Sequence, residues 1–197
     1  MEKHVLGLEL PTDPRWVNIA EMNIREILVD HAYCEQKAAS SAISLILQYP
    51  DKKEVVAAMT PLVAEEWSHF ARVLAELEKR GFTLGPNRKD EYVERAQKIV
   101  RKGGTREEQL VEKLLLSALI EARSCERFRL LWKDVSDREL SEFYHELMIS
   151  EAGHYKSFLS LAKLYMDPDL VMKRWREYLA AESEIVRTLE VRGDRMH

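Results

Sequence analysis

Three glutamate and histidine pairs in the sequence have the spacing Glu-x-x-His, which places both side chains on one face of a helix. These pairs are Glu66 with His69, Glu142 with His145, and Glu151 with His154. A carboxylate and an imidazole one turn apart can bind the same divalent metal ion. The spacing alone is a weak signal, so the surrounding residues must decide which pairs are candidate ligands.

The neighbours of two pairs are apolar. Around Glu66, the positions one to three turns away on the same face are Met59, Leu62, Val63, Phe70, Val73 and Leu77. Around Glu151, they are Tyr144, Leu147, Met148, Tyr155, Phe158 and Ala162. An ionised carboxylate in an apolar core is costly unless it is paired or bound to a metal. We therefore predict that Glu66/His69 and Glu151/His154 are metal ligands. Charged residues surround Glu142, so we interpret that pair as a solvated face.

Each of the two preceding helices offers a further carboxylate. Glu35 lies in a stripe of small and apolar residues that also contains His31. In the later helix two residues compete, because Glu121 has apolar neighbours whereas Glu126 is flanked by Arg123 and other cations. We interpret Glu126 as a surface salt-bridge residue and predict Glu121 as the ligand.

The positions of the predicted turns support this choice. Residues equally far from a tight antiparallel turn lie at the same height, since a helix rises about 1.5 Å per residue. The midpoint between Glu35 and Glu66 falls in the first predicted turn, and that between Glu121 and Glu151 falls at Ser136, in the second. The four carboxylates therefore have matching heights in two helical hairpins.

Two further residues are candidates for positions behind the ligands. We interpret His31, one turn before Glu35, as a neighbour of the ligands rather than a seventh ligand. Glu65 has two interpretations that the sequence leaves open, since it can accept the second N–H of an imidazole or be exposed to solvent.

Helical periodicity defines the elements that must position these residues. The predicted bundle helices are 16–48, 52–80, 107–133 and 136–166, with a crossover at 83–106 and a C-terminal helix at 169–189. Glu66 to Phe70 recurs as Glu151 to Tyr155, so the two hairpins resemble equivalent halves. A single domain over 1–197 is expected from the length.

One Glu from each of two helices and a Glu-x-x-His from each of the other two form the ligand set of ferritin-like di-iron and di-manganese bundles. We therefore predict an all-α, ferritin-like four-helix bundle of two antiparallel hairpins, with a long crossover and an extra C-terminal helix. Iron and manganese both accept this oxygen-rich set, so the sequence does not choose between them.

Composition limits the location and the partners. The formal charge is −4, and no stretch is apolar enough for a signal peptide or a membrane span, so we expect a cytoplasmic protein without a membrane partner. Cys34 and Cys125 are interpreted as buried thiols. The crossover is locally basic and supplies candidate residues for binding the phosphates of a polyanion, which are Arg88, Lys89, Arg95, Lys98, Arg101, Lys102 and Arg106. The alternative is a solvated helix with internal ion pairs.

The whole chain resembles the MiaE family of di-iron tRNA hydroxylases. The resemblance rests on five segments, which are 10–16 (LPTDPRW), 30–39 (DHAYCEQKAA), 65–70 (EEWSHF), 121–128 (EARSCERF) and 150–155 (SEAGHY). It implies hydroxylation of a terminal methyl of 2-methylthio-isopentenyl-adenosine beside the anticodon. It also implies two iron ions (Fe2+/Fe3+), O2 as co-substrate, the tRNA anticodon stem-loop as partner, and electrons from a reductase or ferredoxin. With tRNA as the implied partner, the basic crossover residues become the candidate tRNA-binding residues.

Two other functions share these ligands. One is a different ferritin-like di-metal oxidase, for iron storage or peroxide handling. The other is a helical scaffold with an empty site. The sequence does not name the electron donor or the oligomeric state.

Overall fold

The computed structural model describes residues 5–197, and within them the chain forms seven α-helices and no strand. The helices are α1 Arg15–Met22, α2 Ile24–Gln48, α3 Lys53–Lys79, α4 Glu91–Ala96, α5 Arg106–Asp134, α6 Arg138–Tyr165 and α7 Pro168–Thr188. The predicted all-α class is confirmed. The predicted domain also includes residues 1–4, which lie outside the described residues.

Most helix boundaries lie within one residue of the prediction, and two differences are larger. The first predicted helix is divided at Asn23, whose backbone angles (φ −125°, ψ 34°) are not helical and whose side-chain amide donates to the Ile19 carbonyl at 2.8 Å. The last bundle helix is capped by Asp137 and not by Ser136. One Asp137 carboxylate oxygen accepts the amides of Glu139 and Leu140, at 3.0 and 3.1 Å. Short polar side chains compete with the backbone in this way and set helix ends.

The chain divides into two compact units, each built around one helical hairpin. The α2–α3 unit comprises Asn18–Lys89 and Arg192–Met196. The described residues of the α5–α6 unit are 5–17, Asp90–Val191 and His197. In each unit a link of only a few residues joins two long helices that pack on each other, so the two helices are antiparallel.

In the α2–α3 unit, hydrogen bonds fix both ends of the hairpin. In the link, the Tyr49 amide donates to Leu45 and the Lys52 amide donates to the Tyr49 carbonyl. At the end of α3, Gly81 has φ +73°, and the Phe82 amide reaches back to the Leu77 carbonyl at 2.9 Å. The positive φ of Gly81 is the left-handed backbone conformation in which many α-helices end, and glycine is favoured there.

The segment Arg192–Met196 packs on α2 in the same unit. The Met196 amide donates to the carboxylate of Asp30 at 2.8 Å, and Asp30 is buried. A side chain on Gly193 would collide with Ile19, since its Cβ would lie 2.5 Å from the Ile19 carbonyl oxygen. The segment therefore depends on glycine at this position.

A capping box starts α5 in the other unit. The Thr105 hydroxyl accepts the Glu108 amide at 3.1 Å, and the Glu108 carboxylate accepts the Thr105 amide at 2.6 Å. This reciprocal pair satisfies two donors that a helix start otherwise leaves open.

A buried ion-pair network fixes α5, and it corrects the interpretation of Glu126 as a surface residue. The Glu126 carboxylate accepts the Thr12 amide at 2.8 Å, the Thr12 hydroxyl at 2.5 Å and a guanidinium nitrogen of Arg123 at 2.5 Å. Arg123 is fully buried and also donates to Glu182 of α7 at 2.8 Å. Glu126 is covered because the lead segment before α1 lies over it. Burial raises the pKa of Glu182, although Arg123 opposes the rise.

Loss of the buried Arg123 should be strongly destabilising. We expect Arg123→Ala to lower the free energy of unfolding by about 3–5 kcal/mol, because two carboxylates remain buried without their cation. The matched control is Arg138→Ala, since Arg138 pairs with Glu142 in the same unit but its side chain is 92% exposed. Exposed pairs contribute about 0–1 kcal/mol. Equal effects in urea unfolding would contradict the prediction.

Candidate metal centre

In the α2–α3 unit, three predicted ligands meet in the core. Glu35 of α2 and Glu66 and His69 of α3 are 3%, 1% and 4% exposed. The Nδ1 atom of His69 lies 3.4 Å from Glu66 Oε2 and 3.6 Å from Glu35 Oε2. One ligand atom from each residue lies within 4.8 Å of the other two. We call these three residues the α2–α3 half-site.

His31 lies directly behind this half-site. Its Nε2 atom is 2.6 Å from Glu35 Oε1, and the ring is fully buried. This hydrogen bond occupies one oxygen of Glu35 and leaves the other oriented toward His69. For Glu65, the exposed interpretation fits the structure, since its side chain is 46% exposed and lies 4.0 Å from His69 Nε2. That distance is too long for a hydrogen bond.

The α5–α6 unit contains the equivalent group. Glu121 of α5 and Glu151 and His154 of α6 are 6%, 2% and 7% exposed. His154 Nδ1 lies 3.7 Å from Glu151 Oε2, and the three residues each offer an atom within 4.8 Å of the others. We call them the α5–α6 half-site. Cys125 lies one turn beyond Glu121. Burial, and then the charge of the Glu121 carboxylate, raise the pKa of the Cys125 thiol to about 12. Its thiol donates to the Met148 carbonyl at 3.4 Å.

The rejected residues lie elsewhere in the α5–α6 unit. Glu142 is exposed, with its carboxylate 3.1 Å from Arg138 Nε, and the ring of His145 stacks on Trp132 with centroids 4.2 Å apart. Glu126 belongs to the ion-pair network described above.

Charge is compensated within the α2–α3 half-site even without a metal. Burial favours the neutral imidazole of His69, but Glu35 and Glu66 outweigh this effect and raise the pKa of His69 to about 9. Burial also opposes ionisation of Glu35, yet His31 and then His69 hold the pKa of this carboxyl well below its ordinary value. A protonated imidazole thus takes the place that a metal cation can occupy, and metal binding must release that proton.

The donor geometry fits a metal ion. Two ligand atoms that are each about 2.1 Å from one ion lie about 3.0–3.4 Å apart. The separations between His69 Nδ1 and its two carboxylates, 3.4 and 3.6 Å, are close to this spacing and longer than a hydrogen bond. A half-site of two carboxylates and one imidazole suits a divalent transition metal ion.

The predicted tRNA-binding residues fall into two groups. Arg88 and Arg95 are half-buried and engaged within the fold. Arg88 pairs with Glu26 and donates to the Asp194 carbonyl at 3.0 Å, while Arg95 donates to Thr188 at 2.9 Å. These two residues therefore fit the alternative interpretation, in which basic residues of the crossover form ion pairs and hydrogen bonds within the protein. The exposed residues are Lys89, Lys98, Arg101, Lys102 and Arg106.

Comparison with known proteins identifies the family. The family model described as tRNA-(MS[2]IO[6]A)-hydroxylase (MiaE) matches residues 1–197. The chain belongs to the MiaE family. A MiaE relative from Pseudomonas putida, named tRNA 2-(methylsulfanyl)-N(6)-isopentenyladenosine(37) hydroxylase, is 38% identical, and the match covers 92% of this chain and 87% of the relative. A relative with the same name from Salmonella typhimurium is 28% identical over 91% of this chain and 83% of its own length.

A solved structure also resembles this MiaE chain along its length. It is titled Protein 43 with aldehyde deformylating oxygenase activity from Synechococcus, with a TM-score of 0.90, 34% identity and coverage of 96% of this chain and 94% of that one. This similarity confirms the predicted ferritin-like fold. None of the helices in residues 5–197 has the length and hydrophobicity of a membrane-spanning segment.

The raised pKa of His69 can be tested in metal-free protein. We expect the ring to stay protonated until about pH 9, where a free histidine would titrate near 6.5. Because the folded pKa is raised, this group stabilises the fold fully below pH 6.5, and the contribution is lost as the pH rises through 9. NMR titration of the ring gives the pKa, and urea unfolding across this range gives the stability.

Glu66→Gln provides the control for this titration. Removing one carboxylate charge should lower the pKa of His69 and weaken the fall in stability with pH. A wild-type ring that titrates near 6.5 would refute the electrostatic argument.

Proposed function

We propose that the two half-sites together bind two iron ions and that the protein is an O2-dependent tRNA hydroxylase. The predicted ligands are Glu35, Glu66, His69, Glu121, Glu151 and His154. The observation that carries the proposal is the match of the entire chain to the MiaE family. The two buried half-sites, each with two glutamates and one histidine, supply the donors that such chemistry needs.

Charge balance supports two divalent ions rather than one. Each half-site has two carboxylates and one imidazole, so four negative charges and two neutral rings are available once the imidazoles are deprotonated. Two divalent cations neutralise this set, whereas a single ion would leave buried carboxylates with excess negative charge. Reduced iron, when bound, would supply the activation of O2 that oxidation of a methyl C–H bond requires.

The protein's own residues orient the ligands and keep water away. His31 forms a hydrogen bond with one oxygen of Glu35. Hydrogen bonds of this kind to a metal ligand fix the orientation of the ligand and tune its basicity. Apolar side chains lie one or two turns from the carboxylates in both units. They include Leu28 and Met59 in one unit and Ala118 and Leu147 in the other, and all four are fully buried. A dry pocket limits side reactions of oxygen with water and protein.

The substrate follows from the family. Both curated relatives are named for hydroxylation of 2-(methylsulfanyl)-N(6)-isopentenyladenosine at position 37 of tRNA. We therefore propose that a terminal methyl of the isopentenyl group is hydroxylated, with tRNA as partner and with two electrons from a reductase or ferredoxin. A tRNA substrate implies a cytoplasmic protein. The exposed cations Lys89, Lys98, Arg101, Lys102 and Arg106 are the proposed contacts to RNA phosphates.

The ligand assignment in α5 predicts a difference between two glutamates. We expect Glu121→Ala to bind fewer than the two iron ions per chain of the wild type, because the α5–α6 half-site loses a carboxylate. Glu126→Gln should keep both ions, since that residue binds Thr12 and Arg123 instead. Iron analysis of the folded, desalted variants measures this. Full loading of Glu121→Ala with loss in Glu126→Gln would reverse the assignment.

The activity itself is tested with the iron-loaded, reduced protein. Given O2 and tRNA that carries the methylthio-isopentenyl-adenosine, it should yield a nucleoside heavier by one oxygen atom, detected by mass spectrometry of the digested tRNA. An alkyl aldehyde is the control substrate, chosen because of the activity named for the structural neighbour. An unchanged nucleoside at full iron loading, together with aldehyde turnover or iron storage, would favour the other ferritin-like functions.

A further inference from the structure

A cleft of about 580 Å³ lies in the α5–α6 unit, at the end of the crossover. The crossover forms one wall with Arg101 and Lys102, and the second turn of α7 forms another with Lys173 and Arg174. Two basic clusters that are far apart in the sequence therefore border the same opening. Neither the family comparison nor the metal half-sites account for it.

The carboxylates in the cleft are mostly engaged by partners of their own. Glu112 accepts Arg174 Nε at 2.6 Å, the Tyr178 hydroxyl at 2.8 Å and the Arg101 amide at 2.9 Å. Glu177 accepts guanidinium nitrogens of Arg174 and Arg101 at 2.8 and 2.7 Å.

Two further carboxylates belong to the lining. Glu108 is part of the capping box with Thr105, and Glu107 lies in the same first turn of α5. Both glutamates lie on the side of the cleft that α5 forms, whereas Lys102 lies on the crossover and Lys173 on α7.

The cations that remain for a ligand are at the rim. Lys102 and Lys173 are exposed, and the side chain of Arg101 is 65% exposed. The pair between Arg101 and Glu177 is itself exposed, and such pairs contribute little to stability. A phosphate can therefore replace the carboxylate as the partner of Arg101 at small cost.

Apolar and aromatic side chains complete the lining. Tyr165 and Met166 end α6, and Leu170, in the first turn of α7, is 55% exposed. The lining of the cleft therefore combines apolar and aromatic side chains with cations at the rim. The ring can stack on a nucleobase, and the cations can bind the adjoining phosphate. This combination fits a nucleotide better than it fits a free inorganic anion.

We propose that this cleft binds an unstacked or loop nucleotide of the tRNA substrate, away from the adenosine that is modified. The proposal rests on the function proposed above and names a second contact for the same substrate. Val111 in the cleft lies ten residues before Glu121 on α5, so the two are roughly 15 Å apart along the helix axis. Binding energy from such a remote contact can hold the reacting nucleotide in place.

The test uses the iron-loaded protein and an anticodon stem-loop RNA that carries the prenylated adenosine. We expect Lys102→Ala/Lys173→Ala to bind this RNA about tenfold more weakly and to reduce the slope of log affinity against log salt by about one to two. The matched control is Lys53→Ala/Lys133→Ala, which also removes two exposed lysines, one at the start of α3 and one at the end of α5. The control should bind within twofold of the wild type.

Two variants of Tyr165 test the stacking separately. Tyr165→Ala should weaken RNA binding about fivefold or more, whereas Tyr165→Phe should retain binding because the ring remains. Wild-type affinity and salt slope in the lysine variant would overturn the proposal. The proposal would also be overturned if the lysine variant lost activity only when a protein electron donor replaced a chemical reductant. In that case the cleft would bind an acidic protein and not RNA.

Failure of the proposed function gives a different result. In that case the wild type itself forms no hydroxylated nucleoside, whatever the lysine variant does to RNA affinity. If instead the wild type hydroxylates the RNA and the lysine variant binds it normally, the activity stands and the cleft proposal is refuted.

Discussion

The structure depends on keeping carboxylates ionised in the interior of a helical protein. An unpaired buried carboxylate would take up a proton or unfold its surroundings, so each must face a positive partner. In the α2–α3 half-site, the hydrogen bond with His31 and then the contact with His69 hold the pKa of Glu35 below its ordinary value, and the raised pKa of His69 makes this ring the positive partner. The apolar stripes, the short hairpin links and the long uninterrupted helices all hold these groups at fixed separations. The same requirement makes the site suitable for a metal cation.

The opposite face of α5 shows a second use of buried charge. Glu121 and Glu126 are five residues apart, which turns them about 140° around the helix. One therefore faces the half-site while the other joins Arg123, Thr12 and Glu182. This network fixes the rotation of α5 about its own axis. A rotation error would move Glu121 away from Glu151, so a structural ion pair on one face contributes to the geometry of the other.

Local patterns were sufficient to predict that the four candidate carboxylates are buried, because helical periodicity decides which side chains share an apolar face. Glu35, Glu66, Glu121 and Glu151 are all buried, as their neighbours indicated. The interpretation of Glu126 as a surface residue was wrong, because the segment that covers it lies 114 residues away in the sequence, whereas the predicted salt bridge to Arg123 is present. The break at Asn23 depends on one side-chain hydrogen bond, and the cap at Asp137 depends on a choice between adjacent polar residues. The assembly of six residues into one centre stays a prediction.

The packing of Arg192–Met196 on α2 bears on how the protein is made. Asp30 receives the amide of a residue 166 positions further along the chain, and Arg88 reaches the carbonyl of Asp194. During synthesis, the first hairpin emerges from the ribosome long before this segment does. Until then, the Asp30 carboxylate must remain hydrated, so the hairpin can form early but reaches its final packing only after residues 192–196 have been synthesised.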